Sequence, residues 1–289
     1  MLNRRGVALV DLLVALTIFG ILGALVVRTI VTSVRWTEAA VLGTERDAQL
    51  SAARESGELL LTAFARKGGD AVRLSDTAVV WWATVGAGPV CAVGGVSVLA
   101  ANTRSDGVRL GGTSSSPQAG DVLQVFDDGP TVSSADDAWT RHIVQSARLI
   151  RGACGSSALL DPVNDAAFGA WELDVVPPLQ PNQAGSPARL QRLSRMALYR
   201  SAGEWAVGVS ELGPTGTWSI IQPVAGPLDP PVGGLRMEWL DSTLAPGATS
   251  PVAVRLRAAA PTRAAVRSFA GAAIRHDSVE RLLAFRNRQ

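Results

Sequence analysis

The sequence predicts an α+β fold in which one long N-terminal helix packs on an antiparallel, β-rich globular head. Two observations predict this fold class. A helix-compatible pattern runs from Val7 to Lys67 without a proline, which is far longer than the roughly 8–20 residues of an ordinary globular helix. From Ala71 onward, short apolar segments alternate with Gly, Pro, Ser and Asp, and this pattern is typical of strands joined by turns.

The first part of the helix, which follows a short leader at residues 1–6, is strongly apolar. Val7–Val27 comprises 21 residues, and Asp11 is its only charged side chain. As a helix this segment is roughly 31 Å long at ~1.5 Å per residue, which matches a hydrocarbon core of ~30 Å. We therefore predict that residues 7–27 cross a membrane. A carboxylate inside such a span is costly and marks a functional residue by default, so Asp11 is the first candidate site.

The helical pattern continues over residues 28–69. Its apolar residues recur every seven positions and resume one turn later: Val27, Val34, Val41, Ala48, Ala52 and Leu59. Charged residues fall largely between them, which predicts an amphipathic second half of the same helix. Arg66 and Lys67 suit its last turn, and Gly68-Gly69 suits its C-terminal cap.

Residues 70–289 are predicted to form the β-rich head. The segments with strand character are Ala78–Thr84, Val96–Ala101, Asp121–Phe126, Arg141–Ile150, Trp171–Val176, Leu190–Arg200, Glu204–Leu212, Leu235–Asp241, Val252–Arg257 and Ser278–Arg286. Ser201-Ala202-Gly203 separates two of these segments, and this predicts a β-hairpin with a short glycine-containing turn.

Composition restricts the function classes. A chain of 289 residues with 47% hydrophobic residues can bury a substantial core. Its 27 Lys and Arg residues nearly balance 25 Asp and Glu residues. Broad electrostatic binding of nucleic acid requires a basic surface, so nucleic acid is not an expected partner.

The two cysteines, Cys91 and Cys154, both lie in the predicted head. An oxidising compartment outside the cytoplasm permits a disulfide between them. The alternative is two separate buried thiols, and the sequence alone does not give the Cα–Cα distance that a disulfide requires.

Motifs for catalysis and cofactor binding are not found in the sequence. His142 and His276 do not form a zinc-ligand spacing with the cysteines, and both histidines are interpreted as structural. Glycine patterns of the kind that bind nucleotides are also missing. We therefore predict a protein that is not an enzyme and that has no cofactor.

A calcium site is the weaker metal hypothesis. Asp161, Asn164 and Asp165 offer oxygen ligands of the kind that Ca²⁺ prefers. Asp and Asn are also frequent in loops because their side chains bond to nearby backbone groups, and a turn is the alternative explanation.

The N-terminus resembles the class III leader of type IV pilins and type II secretion pseudopilins. In both, basic residues (here Arg4 and Arg5) and a Gly precede an apolar segment that has an acid at its fifth position. The resemblance implies that a prepilin peptidase cleaves after Gly6 and N-methylates Val7. Asp11 then takes the position of the family's assembly carboxylate, which is usually Glu, and Val7 replaces the usual Phe or Met. Loss of Arg4 and Arg5 would leave 25 basic and 25 acidic residues.

Several head segments resemble the J-type minor pseudopilins and the related W-type minor pilins. They are Gly120–Val125, Ala197–Arg200, Gly234–Asp241, Val252–Arg257 and Leu283–Asn287. The resemblance implies a minor subunit at or near the tip of a type II secretion pseudopilus or type IV pilus. Its N-terminal helix would pack among other minor and major subunits. It also implies a single-pass protein of the bacterial inner membrane, with a cytoplasmic N-terminus and a periplasmic head.

Three alternatives stay open at this point. One is a plain signal anchor, because a long apolar helix near the N-terminus also fits that role. Another is a pilus-borne binding subunit for DNA uptake or adhesion, which would need an exposed basic or aromatic patch on the head. The third is an anchored extracytoplasmic enzyme, for which the sequence offers no motif.

Overall fold

The computed structural model of the protein describes residues 4–62, 71–94, 96–100, 112–113, 115–129, 137–151, 169–248, 251–268 and 271–285. Within the N-terminal helix, side chains are described for residues 11–58. The structure confirms the α+β fold class: one long N-terminal helix accompanies a globular domain of mostly antiparallel sheet.

The helix, α1, extends over Arg4–Thr62. It begins three residues before the predicted start at Val7, so the basic residues of the leader belong to the same helix as the apolar segment. No proline interrupts it. The predicted cap at Gly68-Gly69 lies outside the described residues.

Fifteen strands follow in the described part of the chain. They are β1 Ala71–Leu74, β2 Ala78–Gly94, β3 Val96–Ala100, β4 Gly112–Thr113, β5 Val122–Asp127, β6 Ala138–Arg151, β7 Gly169–Val176, β8 Pro187–Ser201, β9 Glu204–Glu211, β10 Gln222–Leu228, β11 Leu235–Leu240, β12 Ala253–Pro261, β13 Val266–Ser268, β14 Gly271–Ala273 and β15 His276–Ala284. All ten predicted strands overlap one of these. The five that the sequence did not predict are β1, β4, β10, β13 and β14. β10 contains two prolines, which argue against a strand in the sequence, but it lies at a sheet edge where proline is tolerated.

Six strands of the large sheet form a closed ring of antiparallel pairs. The sheet order is β1-β2-β3-β7-β6-β5-β8-β9-β10, and β2 also pairs with β8 along most of its length. This second pairing joins β2, β3, β7, β6, β5 and β8 into a ring, which leaves none of these strands with a bare edge in its paired region. A cluster of buried side chains from five of the ring strands includes Leu123, Leu173 and Leu190, each fully buried.

A second sheet, of order β11-β12-β15, contributes to another hydrophobic core together with α1. Leu50 and Ala53 of α1 belong to this core, as do Met237 of β11 and Leu256 of β12. The strands pair in regular antiparallel register, as at Met237 opposite Leu256. This core therefore joins the helix to the head.

The hairpin predicted at Ser201-Ala202-Gly203 is confirmed between β8 and β9. Ser201 pairs with Glu204, so Ala202 and Gly203 form a two-residue turn. Both have positive φ angles, 50° and 89°, as a type I′ turn requires.

The apolar stripe predicted for the second half of α1 is only partly packed on the head, through Ala52. Val34 and Val41 are 51% and 53% exposed, whereas the buried positions are Leu50, Ala53 and Gly57. These three positions follow the i, i+3, i+7 spacing of one helix face. The face that packs on the head is therefore centred on these positions, which the sequence did not single out.

Candidate functional site

The N-terminal half of α1 has no partner in the described part of the chain. Its large apolar side chains, from Leu12 to Val34, are each more than two-fifths exposed. Within Asp11–Glu58, the helix is long and apolar enough to cross a membrane, and its most apolar window is unburied. A soluble domain does not leave such a surface bare, so this half has the composition and exposure of a segment suited to lipid or to other apolar helices.

Asp11 lies at the start of this unpartnered half and is exposed. The predicted cleavage position, between Gly6 and Val7, is inside the backbone range of α1, while the side chains of both residues lie outside the described set. Residues four apart in a helix share a face. Val7 and Asp11 therefore lie one turn apart on the same face of α1.

The second half of α1 is fixed to the head by close packing. Leu50 and Ala53 are buried in the core that α1 shares with β11 and β12. Gly57 provides space for Leu256, because a Cβ at position 57 would overlap Leu256 Cδ2. Glycine is up to ~1 kcal/mol less favourable than alanine in a helix, but at position 57 it permits a close helix–strand contact.

Polar contacts extend this attachment. Gly226 N–H donates a hydrogen bond of 3.0 Å to Gln49 Oε1, which joins the helix to β10. The Arg46 guanidinium lies 3.1 Å from an Asp277 carboxylate oxygen at the start of β15. The head is therefore held against residues 46–57 of the helix from two sheets.

A cleft of about 230 Å³ lies between α1 and the β13–β14 hairpin. We call it the arginine cleft. Its lining residues are Thr32, Arg35, Trp36, Ala39, Val266, Arg267 and Arg275. Arg35, Arg267 and Arg275 are all exposed. Sequence reasoning did not find this cluster, because the helix and the hairpin are more than two hundred residues apart in the chain.

Among the described residues, Arg192 of β8 is the centre of a buried polar network. Its Nε and Nη2 donate to both Asp121 carboxylate oxygens at 2.8 and 2.9 Å, and its Nη1 donates to Glu211 at 3.0 Å. Nη2 also donates to the Ser116 carbonyl oxygen at 2.7 Å. The hydrogen bond with Asp121 raises the pKa of Arg192 above its ordinary value, against the effect of burial. The network joins the segment before β5 to the centre of the large sheet, and we assign it a structural role.

Three arginines of the large sheet stack on tryptophans. Arg141, Arg189 and Arg195 place Cζ at 5.1, 4.8 and 4.9 Å from ring centroids; the partners are Trp82, Trp139 and Trp218, respectively. Each distance is within the range of a cation–π contact. Arg141 and Trp139 are exposed, whereas the other four residues are partly buried.

Both histidines make local contacts. His142 is buried, with Nδ1 2.6 Å from the Pro177 carbonyl oxygen and Nε2 2.9 Å from Thr140 Oγ1. His276 Nδ1 lies 2.8 Å from Asp229 Oδ1 on an exposed surface. These contacts agree with structural roles for both residues.

The remaining candidates are only partly described. Cys91 is buried and disulfide-bonded, and Cys154, the other cysteine of the sequence, lies outside the described residues. Asp161, Asn164 and Asp165, the calcium candidates, also lie outside the described residues. Among the residues that are described, no three His, Cys, Asp or Glu side chains are grouped to hold a metal ion.

No family model, curated protein or solved structure matches this chain.

Proposed function

We propose that this chain is a minor pilin or pseudopilin subunit, which a prepilin peptidase processes and which assembles at or near the tip of a type II secretion pseudopilus or type IV pilus. One observation carries the proposal. A single helix has an unpartnered apolar half, with a carboxylate at its start, and a second half that is built into a globular head.

The proposed mechanism starts from the charge that processing creates. Cleavage between Gly6 and Val7 would generate an α-amine in an apolar environment, where an unpaired charge is costly. Asp11 supplies the opposite charge one turn away. If the carboxylate pairs with the amine of a neighbouring subunit, the pair forms only in one register, and assembly gains a positional signal.

The docked half would then transmit that register to the head. Because residues 46–57 of α1 are packed against two sheets, a helix that is fixed among its neighbours also fixes the position of its head. The proposed role is structural and involves no catalysis or cofactor. The proposed location is the bacterial inner membrane, with the N-terminus in the cytoplasm and the head in the periplasm.

An Asp11→Ala variant tests the proposal in cells that contain the chain's own assembly machinery. We expect membrane insertion to persist and incorporation into the fibre to fall. Asp11→Glu should restore incorporation, because it keeps the carboxylate. Glu38→Ala, which removes the same charge from an exposed position of α1, is the matched control. Normal incorporation of Asp11→Ala would contradict the pairing.

A second candidate function, a pilus-borne binding subunit, is favoured by the arginine–tryptophan stacks on the head. Base stacking on aromatic rings beside cationic groups is how single-stranded nucleic acid is bound without sequence preference. The full-length chain in detergent would be titrated with a labelled single-stranded oligonucleotide over a salt series. Salt-dependent binding that Arg141→Gln/Arg195→Gln weakens, but Arg236→Gln/Arg257→Gln does not, would support this function. No salt-dependent binding of the oligonucleotide would contradict this second function.

A further inference from the structure

The arginine cleft concentrates positive charge on one side of α1. Arg35 comes from the helix, whereas Arg267 and Arg275 come from the β13–β14 hairpin and the residues just after it. Val266 is 4% exposed, so the hairpin is held against the helix by a buried side chain. The three arginines are therefore brought together by packing rather than by proximity in sequence.

No carboxylate neutralises these three arginines among the residues that the structure describes. In the described part of the chain none of the three forms an ion pair within 4 Å, and the nearby carboxylate of Asp277 is paired with Arg46 instead. Glu38 lines an adjoining groove with Arg267 without forming an ion pair. Uncompensated guanidinium groups around one cleft favour an anionic ligand, and the planar guanidinium fork matches the oxygens of a phosphate.

The cleft lies at the height where the proposed span would leave the membrane. Arg35 is eight residues beyond Val27, or about 12 Å along the helix axis at ~1.5 Å per residue. Helical side chains lean towards the N-terminus and cover the preceding turn, so the Arg35 guanidinium lies ~5 Å closer to the membrane than its Cα. The charge is then about 7 Å beyond the hydrocarbon, within a headgroup layer of roughly 5–8 Å on each side.

Neighbouring side chains have the character of a membrane interface. Trp36 is 71% exposed, and tryptophan is enriched at the level of lipid headgroups. Arg28 lies seven residues before Arg35 and so shares its helix face, at a position where a long cationic side chain can extend to the interface. Ile274, next to Arg275, is 45% exposed and adds an apolar contact on the hairpin side.

We propose that the arginine cleft binds the phosphate of an anionic phospholipid headgroup where α1 leaves the membrane. The proposal rests on the membrane span of the proposed function and adds to it a lipid-binding site on the head side. Such a site would fix the depth of the subunit in the bilayer before assembly, because the hairpin and the helix would contact the same headgroup layer.

The test uses the full-length chain in bilayer nanodiscs of phosphatidylcholine that contain a minor fraction of spin-labelled phosphatidylglycerol or spin-labelled phosphatidylcholine. Electron paramagnetic resonance measures the fraction of each lipid immobilised by the protein. The variant Arg35→Gln/Arg267→Gln/Arg275→Gln removes the cleft charge. Arg236→Gln/Arg257→Gln/Arg281→Gln removes three exposed head charges elsewhere and is the matched control.

We expect the wild-type chain and the control to immobilise phosphatidylglycerol in preference to phosphatidylcholine. In the cleft variant this preference should fall at least about tenfold, because each arginine near an anionic surface contributes roughly fivefold. Equal lipid preference in the cleft variant and the wild type would overturn the proposal. Binding of inorganic phosphate that the cleft variant loses, together with equal lipid preference in the cleft variant and the wild type, would assign the cleft to free phosphate and also overturn the proposal.

Failure of the underlying membrane span gives a different result. A chain that does not enter the nanodisc would overturn both the span and the lipid site. A chain that enters the nanodisc without any preference for phosphatidylglycerol would overturn the lipid site alone.

Discussion

The two halves of α1 are continuous in backbone and opposite in environment. Between Leu12 and Val34 the large apolar side chains are exposed, whereas Leu50 and Ala53 are almost completely buried against the head. Both halves carry apolar residues, so hydrophobicity alone does not distinguish them. The difference is that the second half has small residues where a strand approaches, and the first half has large side chains on every face, as a segment in lipid has.

This contrast separates two tasks within one helix. The docked half contributes to the stability of the head, so its substitutions should lower the free energy of unfolding in any solvent. The unpartnered half contributes nothing to that core, so its substitutions should change only membrane insertion or association with other subunits. Four predictions follow this distinction, from the largest expected effect to the smallest.

Positive charge introduced into the unpartnered half of α1 should have the largest effect, which is a loss of membrane insertion. Leu16→Arg/Leu22→Arg places two cations near the centre of the proposed span, each costing ~2.5–3.5 kcal/mol for insertion. We expect the variant to move from the alkali-resistant membrane fraction to the soluble or degraded fraction. Leu16→Ile/Leu22→Ile should remain in the membrane. Unchanged membrane retention of the arginine variant would contradict the proposed span.

Leu50→Ala should give the largest loss of head stability among single substitutions in α1. Leu50 is 7% exposed within the core that α1 shares with β11 and β12, and a buried Leu→Ala substitution costs ~2–5 kcal/mol. The measurement is denaturant unfolding of the full-length chain in detergent. Leu25→Ala, at a position that is 54% exposed, should leave the free energy of unfolding within about 0.5 kcal/mol of the wild type. Equal effects of the two would mean that α1 is not docked as described.

Gly57→Leu should destabilise the head, whereas Gly43→Leu should not. At Gly57 a side chain meets Leu256, while at Gly43 there is open space. Overpacking costs ~1–3 kcal/mol, and the gain in helix propensity at position 43 is up to ~1 kcal/mol. The same unfolding experiment should therefore give opposite signs for the two variants. The same sign for both would show that helix propensity, rather than the contact with β12, determines the effect.

Loss of the Arg46–Asp277 ion pair should have the smallest effect. The Asp277 side chain is 54% exposed, and ion pairs at such sites contribute ~0.2–1 kcal/mol. Asp277→Asn should lower the free energy of unfolding slightly at low salt and less at high salt, because ions screen the pair. Asp76→Asn, which removes an exposed carboxylate distant in sequence, serves as the control. A loss that does not change with salt would assign the effect to packing.

The sequence was sufficient to predict the helix and most strands, but it was not sufficient to predict which side chains of these elements contact each other. The helical pattern predicted α1, and the apolar segments between turn residues predicted ten strands, because both are local features of the sequence. The docked face of α1 was not predictable, since Gly57 is favourable there only because Leu256, distant in sequence, fills the space beside it. The Arg192 network was missed for the same reason: Asp121 and Glu211 become its partners only after β5, β8 and β9 pair.

The candidate sites also differ in whether the sequence alone could identify them. Asp11 was identified from sequence, because a charge within an apolar segment is anomalous without any structural information. The arginine cleft was not, because Arg35 is unremarkable in an amphipathic helix until the β13–β14 hairpin places Arg267 and Arg275 beside it.

Intact mass and N-terminal analysis of the protein, purified from its own membranes, would test the assembly function. We predict a mature chain that begins at N-methylated Val7, because cleavage after Gly6 creates the amine that Asp11 is proposed to pair. A chain that begins at Met1 would contradict this function and indicate a plain signal anchor. A chain cut beyond the apolar segment would contradict it as well, because the unpartnered half of α1 would then be absent from the mature protein.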